Sequence, residues 1–478
     1  MSELTSGVVV RRESPLQLYR QASISRGTAV ALVALIVVAS IIVAFSIGPL
    51  GLSLRPNPNN SASTTSAVSF YSATDSAMIT SLGSELCTQS PCAPLVSGWL
   101  HTNPADTNIY DGSGHVVRLV GVNAMGLEYG VGTSSPDPCR FGWGGEDAGG
   151  FSMSEFDDIA SWGFNLVRLP VSWENLEPTA PLLAENGTWL HNWNTAYLNE
   201  IDYFVDQFEQ RHIAVILDFH QLAVSPAFQH VPGGVHVSFC EGWGEPTWLY
   251  PGITSPTTRT DLGTAICNFF NDKSMVGDGA PAPIEGMEAA EQMLASRYKD
   301  NPTVVGMDLF NEPWLPRSCG TTSTADKLLM NYDAEVSNAI STANPHLLIV
   351  FEEPPQNLMP HGTSPILTAP PPVPNAVYEV HIYTSGWNTA QPLLQAYLNN
   401  AKKWGVPLYM GEFNAFYAGD NGAKATVDPN WQSDTLSLLA YCQTNGISWT
   451  FWSYTSLGTN VPTPQPKTEI LAILREGI

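Results

Sequence analysis

The residues most able to do chemistry stand at the ends of short apolar runs. Arg168 lies in one such run, Asp218-Phe219-His220 closes the next, and Asn311-Glu312-Pro313 closes another. Further along come His381-Ile382-Tyr383, Gly411-Glu412-Phe413 and Trp452. Two glutamates so placed, Glu312 and Glu412, suggest paired-carboxylate chemistry. Cleaving a glycosidic bond needs such a pair: one carboxylic acid protonates the leaving oxygen while an ionised carboxylate attacks the anomeric carbon. Arg168 suits the task of holding one glutamate ionised, and Asn311 can donate to a sugar hydroxyl. His220, His381 and Tyr383 offer further hydrogen bonds, and the Trp452 indole suits the apolar face of a pyranose ring. Each residue taken alone also has a plain structural use. Strand-end glutamates are often ion-paired, buried histidines are often hydrogen-bonded core groups, and Glu352-Glu353 form a rival carboxylate source.

Elements must bring these residues together. Strand-like runs are expected at 116–123, 166–170, 214–219, 304–310, 347–351, 376–382, 407–411 and 448–452. Helical patterns fall between them. Leu198, Ile201, Phe204, Val205 and Phe208 share one face at helical spacing, and further helices are expected at 287–298, 325–344 and 434–445, with a helix start at Ser154. Apolar strands alternating with helices imply a parallel sheet buried on both faces. Eight such units predict an α/β fold of the (β/α)8 TIM-barrel type, whose strand ends converge on one face. Long connections after the third and fifth strands are expected to shape a cleft there. No Gly-rich dinucleotide fingerprint or phosphate loop follows any strand.

The chain has 478 residues with a net charge of −24, which excludes nucleic acid as a main partner. From Gly27 to Leu54 there is no charge, and Ala29–Ile47 is long enough as a helix, about 28 Å, to cross a hydrocarbon core. Arg11, Arg12, Arg20 and Arg26 precede it, and everything downstream carries a net charge of −26. The positive-inside rule then gives a cytoplasmic tail (1–26), a transmembrane signal-anchor (27–54), a Ser/Thr/Pro/Asn-rich linker and lead-in (55–97), and an extracellular barrel (98–478). Cleavage of the segment, near the small residues Ala44 and Ser46, would leave the barrel secreted instead. A body so poor in Lys and Arg gains little positive charge in acid, so acid tolerance is expected. The seven cysteines suit an oxidising compartment. Cys442, in an apolar helical stretch, is the expected buried free thiol, and Cys87 and Cys92 could close a local loop. Without C-x-x-C repeats or H-E-x-x-H, no metal or other cofactor is expected.

The segments GVNAMG (121–126), GFNLVRLPVSW (163–173), VILDFHQ (215–221), VVGMDLFNEPW (304–314), VYEVHIY (377–383), PLYMGEF (407–413) and GISWTFWSY (446–454) together resemble glycoside hydrolase family 5, the cellulase family of retaining (β/α)8 barrels. The resemblance covers essentially Gly98 to the C-terminus. It implies Glu312 as general acid/base and Glu412 as nucleophile, with Asn311 on the 2-hydroxyl of the sugar being cleaved. It also implies Arg168 supporting Glu412, with His381 and Tyr383 nearby, while His220 and Trp452 line the sugar site. The substrate it implies first is a β-1,4-glucan cleaved internally. VSWENLEP (171–178), DFHQ (218–221) and NEPW (311–314) are also similar to the family's endoglycoceramidase-like branch, and a mannanase or other β-glycosidase of the family is a further alternative. Trp143, Trp173, Trp243, Trp248, Trp314 and Trp387 are possible subsite platforms. The partner expected is therefore a β-linked polysaccharide or glycoconjugate, met by a monomer on a membrane tether. From another class, the alternative is a membrane-anchored carbohydrate-binding protein without turnover.

Overall fold

The structure is a computed structural model that describes residues 91–129, 153–220, 225–228, 244–251, 259–277, 279–354, 365–416, 429–454 and 467–478. The apolar segment Ala29–Ile47, the basic tail and most of the linker lie outside these residues. Among the described residues no helix is long and apolar enough to cross a membrane.

Eight parallel strands form a closed barrel in sequence order. They are β1 (Val120–Asn123), β2 (Leu166–Val171), β3 (Ala214–Phe219), β4 (Val304–Asp308), β5 (Leu348–Glu352), β6 (Ala376–Ile382), β7 (Leu408–Phe413) and β8 (Ser448–Phe451). β8 closes the ring on β1 through Trp449 and Val120. Every strand residue is buried, which is why these runs read as continuously apolar in sequence. The expected first run, 116–123, divides in two. Val116–Val117 joins a small antiparallel sheet with His101–Thr102 and Ile109–Tyr110, and only Val120–Asn123 enters the barrel.

That small sheet seals the lower end of the barrel. Its Leu100, Ile109 and Val117 pack in one apolar cluster with Leu166, Ala214, Val305, Leu348 and Val377 from the early strand positions. The lower interior is thus largely apolar, and the charged side chains lie above it, from mid-strand to the C-terminal strand ends.

Helices surround the ring: α1 (Met153–Ser161), α2 (Thr195–Glu209), α3 (Arg259–Phe270), α4 (Pro283–Arg297), α5 (Thr322–Ala343), α6 (Trp387–Trp404), α7 (Trp431–Thr444) and α8 (Lys467–Glu476). In α2 the Asn194 side chain accepts from the Ala196 and Tyr197 amides, capping donors that have no intrahelical partner. Its apolar face, Leu198 through Phe208, is buried as its spacing requires.

Cys442 is buried and free, as expected. Cys267 on α3 pairs with Cys319 across a sequence separation of 52 residues. Cys92 is also disulfide-bonded, to a partner outside the described residues. Closing a loop of the Cys267–Cys319 size restricts the unfolded chain by about 4 kcal/mol in the chain-entropy treatment. The double variant Cys267→Ser/Cys319→Ser is expected to lose stability toward that value in urea unfolding, and an unchanged midpoint would show that the pair carries none of it.

Candidate active site

The polar layer begins with strand register. Pairing places Asn123 beside Arg168, Asp218 beside Asp308, Glu352 beside Glu379, and His381 beside Glu412. The last pair depends on a bulge. Val380 pairs with Met410 and His381 with Glu412, so β7 carries one residue more than β6, namely Gly411. Strict alternation would send Glu412 outward with Met410; the extra residue lets it turn inward. Only glycine fits there. A Cβ on Gly411 would lie 1.4 Å from Glu379 Oε1, and the Gly411 carbonyl accepts from Asn123 Nδ2 at 2.9 Å. Gly411→Ala is expected to cost roughly 3 kcal/mol or more by displacing a buried carboxylate, and to remove activity. A variant that melts and turns over like the parent would refute the bulge's role.

Arg168 stands at the centre of the layer, fully buried. Its guanidinium meets Asp218 (2.9 Å), Asp308 (2.5 Å), Glu379 (3.3 Å) and Glu412 (2.9 Å), and it also donates to Asn123 (3.1 Å) and Asn311 (2.9 Å). Burial works against its charge, but the four carboxylates outweigh burial and hold it ionised. His381 is the second cation. Nδ1 lies 2.9 Å from Glu312 Oε1 and Nε2 lies 3.3 Å from Glu379 Oε1, so both ring nitrogens face acceptors and the ring is an imidazolium. Burial disfavours that charge too, yet Glu352, Glu412 and the bonds to Glu312 and Glu379 raise the ring well above the ordinary histidine range.

Six carboxylates crowd this space, and exposure sorts them. The side chains of Asp218, Asp308, Glu352 and Glu379 are 0% exposed, whereas Glu312 reaches 11% and Glu412 5%. Only those two face the cleft. Burial lifts Asp308 and Glu352 well above the usual carboxylate range, which favours their neutral forms. Glu352 also accepts the Glu312 backbone N–H. That contact helps hold Glu312 at φ 50°, a left-handed conformation costing a non-glycine residue roughly 1–2 kcal/mol. The rival Glu353 is spoken for: it accepts from the Ile366 and Leu367 amides and from Tyr378.

Glu412 is gripped on both oxygens, Oε1 by Arg168 and Oε2 by the Tyr383 hydroxyl at 2.7 Å. Burial raises this carboxyl above the ordinary glutamate value, while His381 and Arg168 pull it back toward the ionised form, the direction the sequence suggested for Arg168. Asn311 Oδ1 accepts from Arg168, which fixes the amide's orientation and leaves Nδ2 without a partner among the described residues. His220 bonds Asp218 at 2.8 Å, and Trp452 stacks on it at 5.3 Å between ring centres with an interplanar angle of 10°. Glu312, His381 and Glu412 have donor atoms within 4.8 Å of one another, the one such group among the described residues close enough to hold a cation.

Residues 122–458 match the family model for cellulase, glycosyl hydrolase family 5. The chain belongs to this family. Within it, the chain is 27% identical over 394 residues to an endoglucanase of Paenibacillus polymyxa, covering 76% of this chain and 81% of the relative. It is 25% identical over 280 residues to endoglycoceramidase I of Rhodococcus hoagii, covering 55% of this chain and only 49% of that protein. Among solved structures, the fold is similar to an endogalactoceramidase (TM-score 0.55, 20% identity, 79% of this chain and 84% of that one). It is equally similar to endo-glycoceramidase II from Rhodococcus sp. in its ganglioside GM3 complex (TM-score 0.55, 21% identity, 77% and 81%). Family 5 membership makes the protein a glycoside hydrolase.

All eight site residues named from sequence meet in this one layer. Of the proposed aromatic platforms, Trp173 is instead core, fully buried and packed edge-on against Trp248. Trp143 and Trp243 lie outside the described residues. Sequence reasoning passed over Asp308 and Glu379, both charged residues in the middle of apolar runs. Such a residue on a strand buried on both faces must find a counter-ion inside, and Arg168 was the available cation.

Burial also sets the pH response of stability. Glu128 and Glu353 are both buried, and burial pushes each up to about 7. The folded state therefore binds more protons than the unfolded chain between an ordinary glutamate value near 4.3 and about 7. Their contribution is complete below pH 4 and lost as pH rises through 7. The melting temperature at pH 4.5 should exceed that at pH 7.5, and the reverse order in a thermal scan would refute this.

Proposed function

We propose that the protein is a retaining, endo-acting β-1,4-glucanase in which Glu412 is the nucleophile and Glu312 the general acid/base. The observation that carries this reading is the selection of two carboxylates by exposure, with oxygens within 4.8 Å of each other. That spacing suits attack by one of them, since inverting enzymes need roughly 6.5–9.5 Å to admit a water. In the first step Glu412 forms a bond to the anomeric carbon as the glycosidic C–O bond breaks, and the Glu312 proton passes to the leaving oxygen. In the second, Glu312 takes a proton from water, whose oxygen displaces the Glu412 ester and restores both groups. The free Nδ2 of Asn311 supplies a donor for the sugar 2-hydroxyl, and Tyr383 and Arg168 receive the carboxylate charge of Glu412 as it departs.

A β-1,4-glucan takes first place because the endoglucanase relative is matched over most of its length. A glycolipid is the second reading, favoured by a hairpin in the β2–α2 connection, Leu182–Leu183 paired with Trp189–Leu190. It exposes Leu182 (72%), Leu183 (53%) and Leu190 (57%). An assay across carboxymethylcellulose, mannan, lichenan, aryl glucosides and glucosylceramide separates the two. Internal cuts in carboxymethylcellulose support the first reading, release of ceramide alone supports the second, and binding without any product would leave only a carbohydrate-binding protein.

The same proposal places the barrel outside the cell on the Ala29–Ile47 anchor, an inference from apolar length and flanking charge. Protease added to intact cells should remove the catalytic body, and its full protection would count against the tether.

A further inference from the structure

A cavity lined in part by aromatic residues lies apart from the carboxylate layer. It has a volume of about 440 Å³ and is lined by the hairpin and its exit, including Gly187, Trp189, His191 and Trp193, and by one face of α4, including Glu285 and Gln292. None of these residues takes part in the site described above.

Its wall is held rigid from behind. His191 and Trp193 stack at 4.7 Å with an interplanar angle of 1°. His191 Nδ1 meets Glu177 Oε1 at 2.8 Å, and the Glu177 side chain is 0% exposed. The Trp173 indole donates to the other Glu177 oxygen at 3.2 Å, and the Trp248 indole donates to the Glu177 carbonyl at 2.8 Å. The His191 member of the stack is thus tied to a buried acid that two further indoles also bond, which restrains the ring behind the lining. The α4 part of the lining includes Gln292 and Glu285, both exposed, the Glu285 carboxylate also accepting from the Ala282 backbone N–H at 3.3 Å. Aromatic rings from the hairpin with polar side chains from α4 make the lining amphipathic. A pyranose presents complementary surfaces, C–H groups on its ring faces and hydroxyls around its edge.

We infer that this cavity is an outer binding site for a neutral β-linked glucopyranosyl chain, holding polymer while another stretch of it enters the cleft. The choice of glucan rests on the function proposed above; the existence of the site does not. Two lining residues can be changed without touching the catalytic layer, in Trp189→Ala/Gln292→Ala. Trp189 is half-buried on a surface hairpin and Gln292 is exposed, so the barrel has no packing reason to fail.

The test is calorimetric titration of the full chain with cellohexaose in a Glu412→Gln background, where turnover is blocked. The parent should bind two equivalents, and the Trp189→Ala/Gln292→Ala variant should lose one of them or bind it roughly tenfold more weakly. If the substrate reading is wrong and the cleft does not take glucan, the change becomes one equivalent to none, and the outer site still stands. Identical stoichiometry and affinity in parent and variant would overturn it, as would no binding by either. In the Glu412-intact enzyme the same double variant should keep its kcat/KM on an aryl cellobioside and lose activity on barley β-glucan.

Discussion

Replacing Glu412 by Gln should lower turnover by 10³-fold or more, roughly, while the melting curve stays close to that of the parent. The substitution keeps the shape and the hydrogen-bonding oxygen but removes the nucleophile. Arg168 Nη1 can keep the amide oxygen as its acceptor, and the Tyr383 hydroxyl can turn to accept from the amide N–H, so the layer survives. Glu312→Gln should behave differently, and the contrast separates the two roles. An acid is needed most when the leaving group is poor. Hydrolysis of cellulose-like chains should therefore fall by roughly 10²–10⁴, whereas a dinitrophenyl glycoside should still glycosylate Glu412 and then stall for want of a base. Added azide, which needs no deprotonation, should restore that second step and yield a β-glycosyl azide. Equal losses on both substrates without rescue by azide would contradict the assignment of Glu312.

Arg168→Met should be the most damaging change to the fold. Its guanidinium meets four carboxylates that lie on β3, β4, β6 and β7, so it ties together strands from opposite sides of the ring. Removing one partner from a buried ionic group typically costs about 3–5 kcal/mol because the remaining charges stay buried without compensation. For a barrel of this size that corresponds to a melting temperature lower by about 5 °C. Part of the cost can be escaped by protonation, since burial already favours the neutral forms of Asp308 and Glu352. The loss should therefore be smaller in acid and larger at neutral pH. Arg168→Lys should recover part of the stability but little activity, because a point charge cannot hold Glu412, Asp308 and Asn311 in one plane. A methionine variant that melts with the parent across this pH range would mean the cluster contributes nothing to the fold.

Much of this site was legible before any coordinates. Strand ends converge in a barrel, so a set of polar residues following apolar runs could be assembled into one place by topology alone. The strand positions agreed within a few residues, and β3 and β6 matched at both ends. What stayed hidden has particular causes. The inward turn of Glu412 depends on a one-residue bulge at Gly411, and a pairing register is not written in either strand by itself. The division of six carboxylates into four sealed and two accessible depends on packing above the layer, which composition does not reveal. Trp173 shows the converse error: an indole beside a strand end suggested a sugar platform, but its neighbours Trp248 and Gly286 enclose it as core. The Asp308 and Glu379 positions could have been found by asking which mid-strand charges lacked a counter-ion.

Charge has also acquired a structural meaning. Many of the acidic residues are not on the surface at all, but buried and held toward their neutral forms, as with Glu245, Glu291 and Asp333. Burial thus favours the neutral forms of several acids that the formal −24 of the chain counts as charged.

The central claim, that Glu412 attacks the anomeric carbon, is tested most directly by trapping the ester it would form. A 2-deoxy-2-fluoro glucosyl or cellobiosyl fluoride slows both steps but leaves an excellent leaving group, so the glycosyl-enzyme should accumulate. Mass spectrometry of the peptic digest should then find one added sugar, on the peptide containing Glu412 and absent from the Glu412→Gln protein. A sugar on the peptide containing Glu312, or no adduct together with release of the α-anomer from substrate, would contradict it.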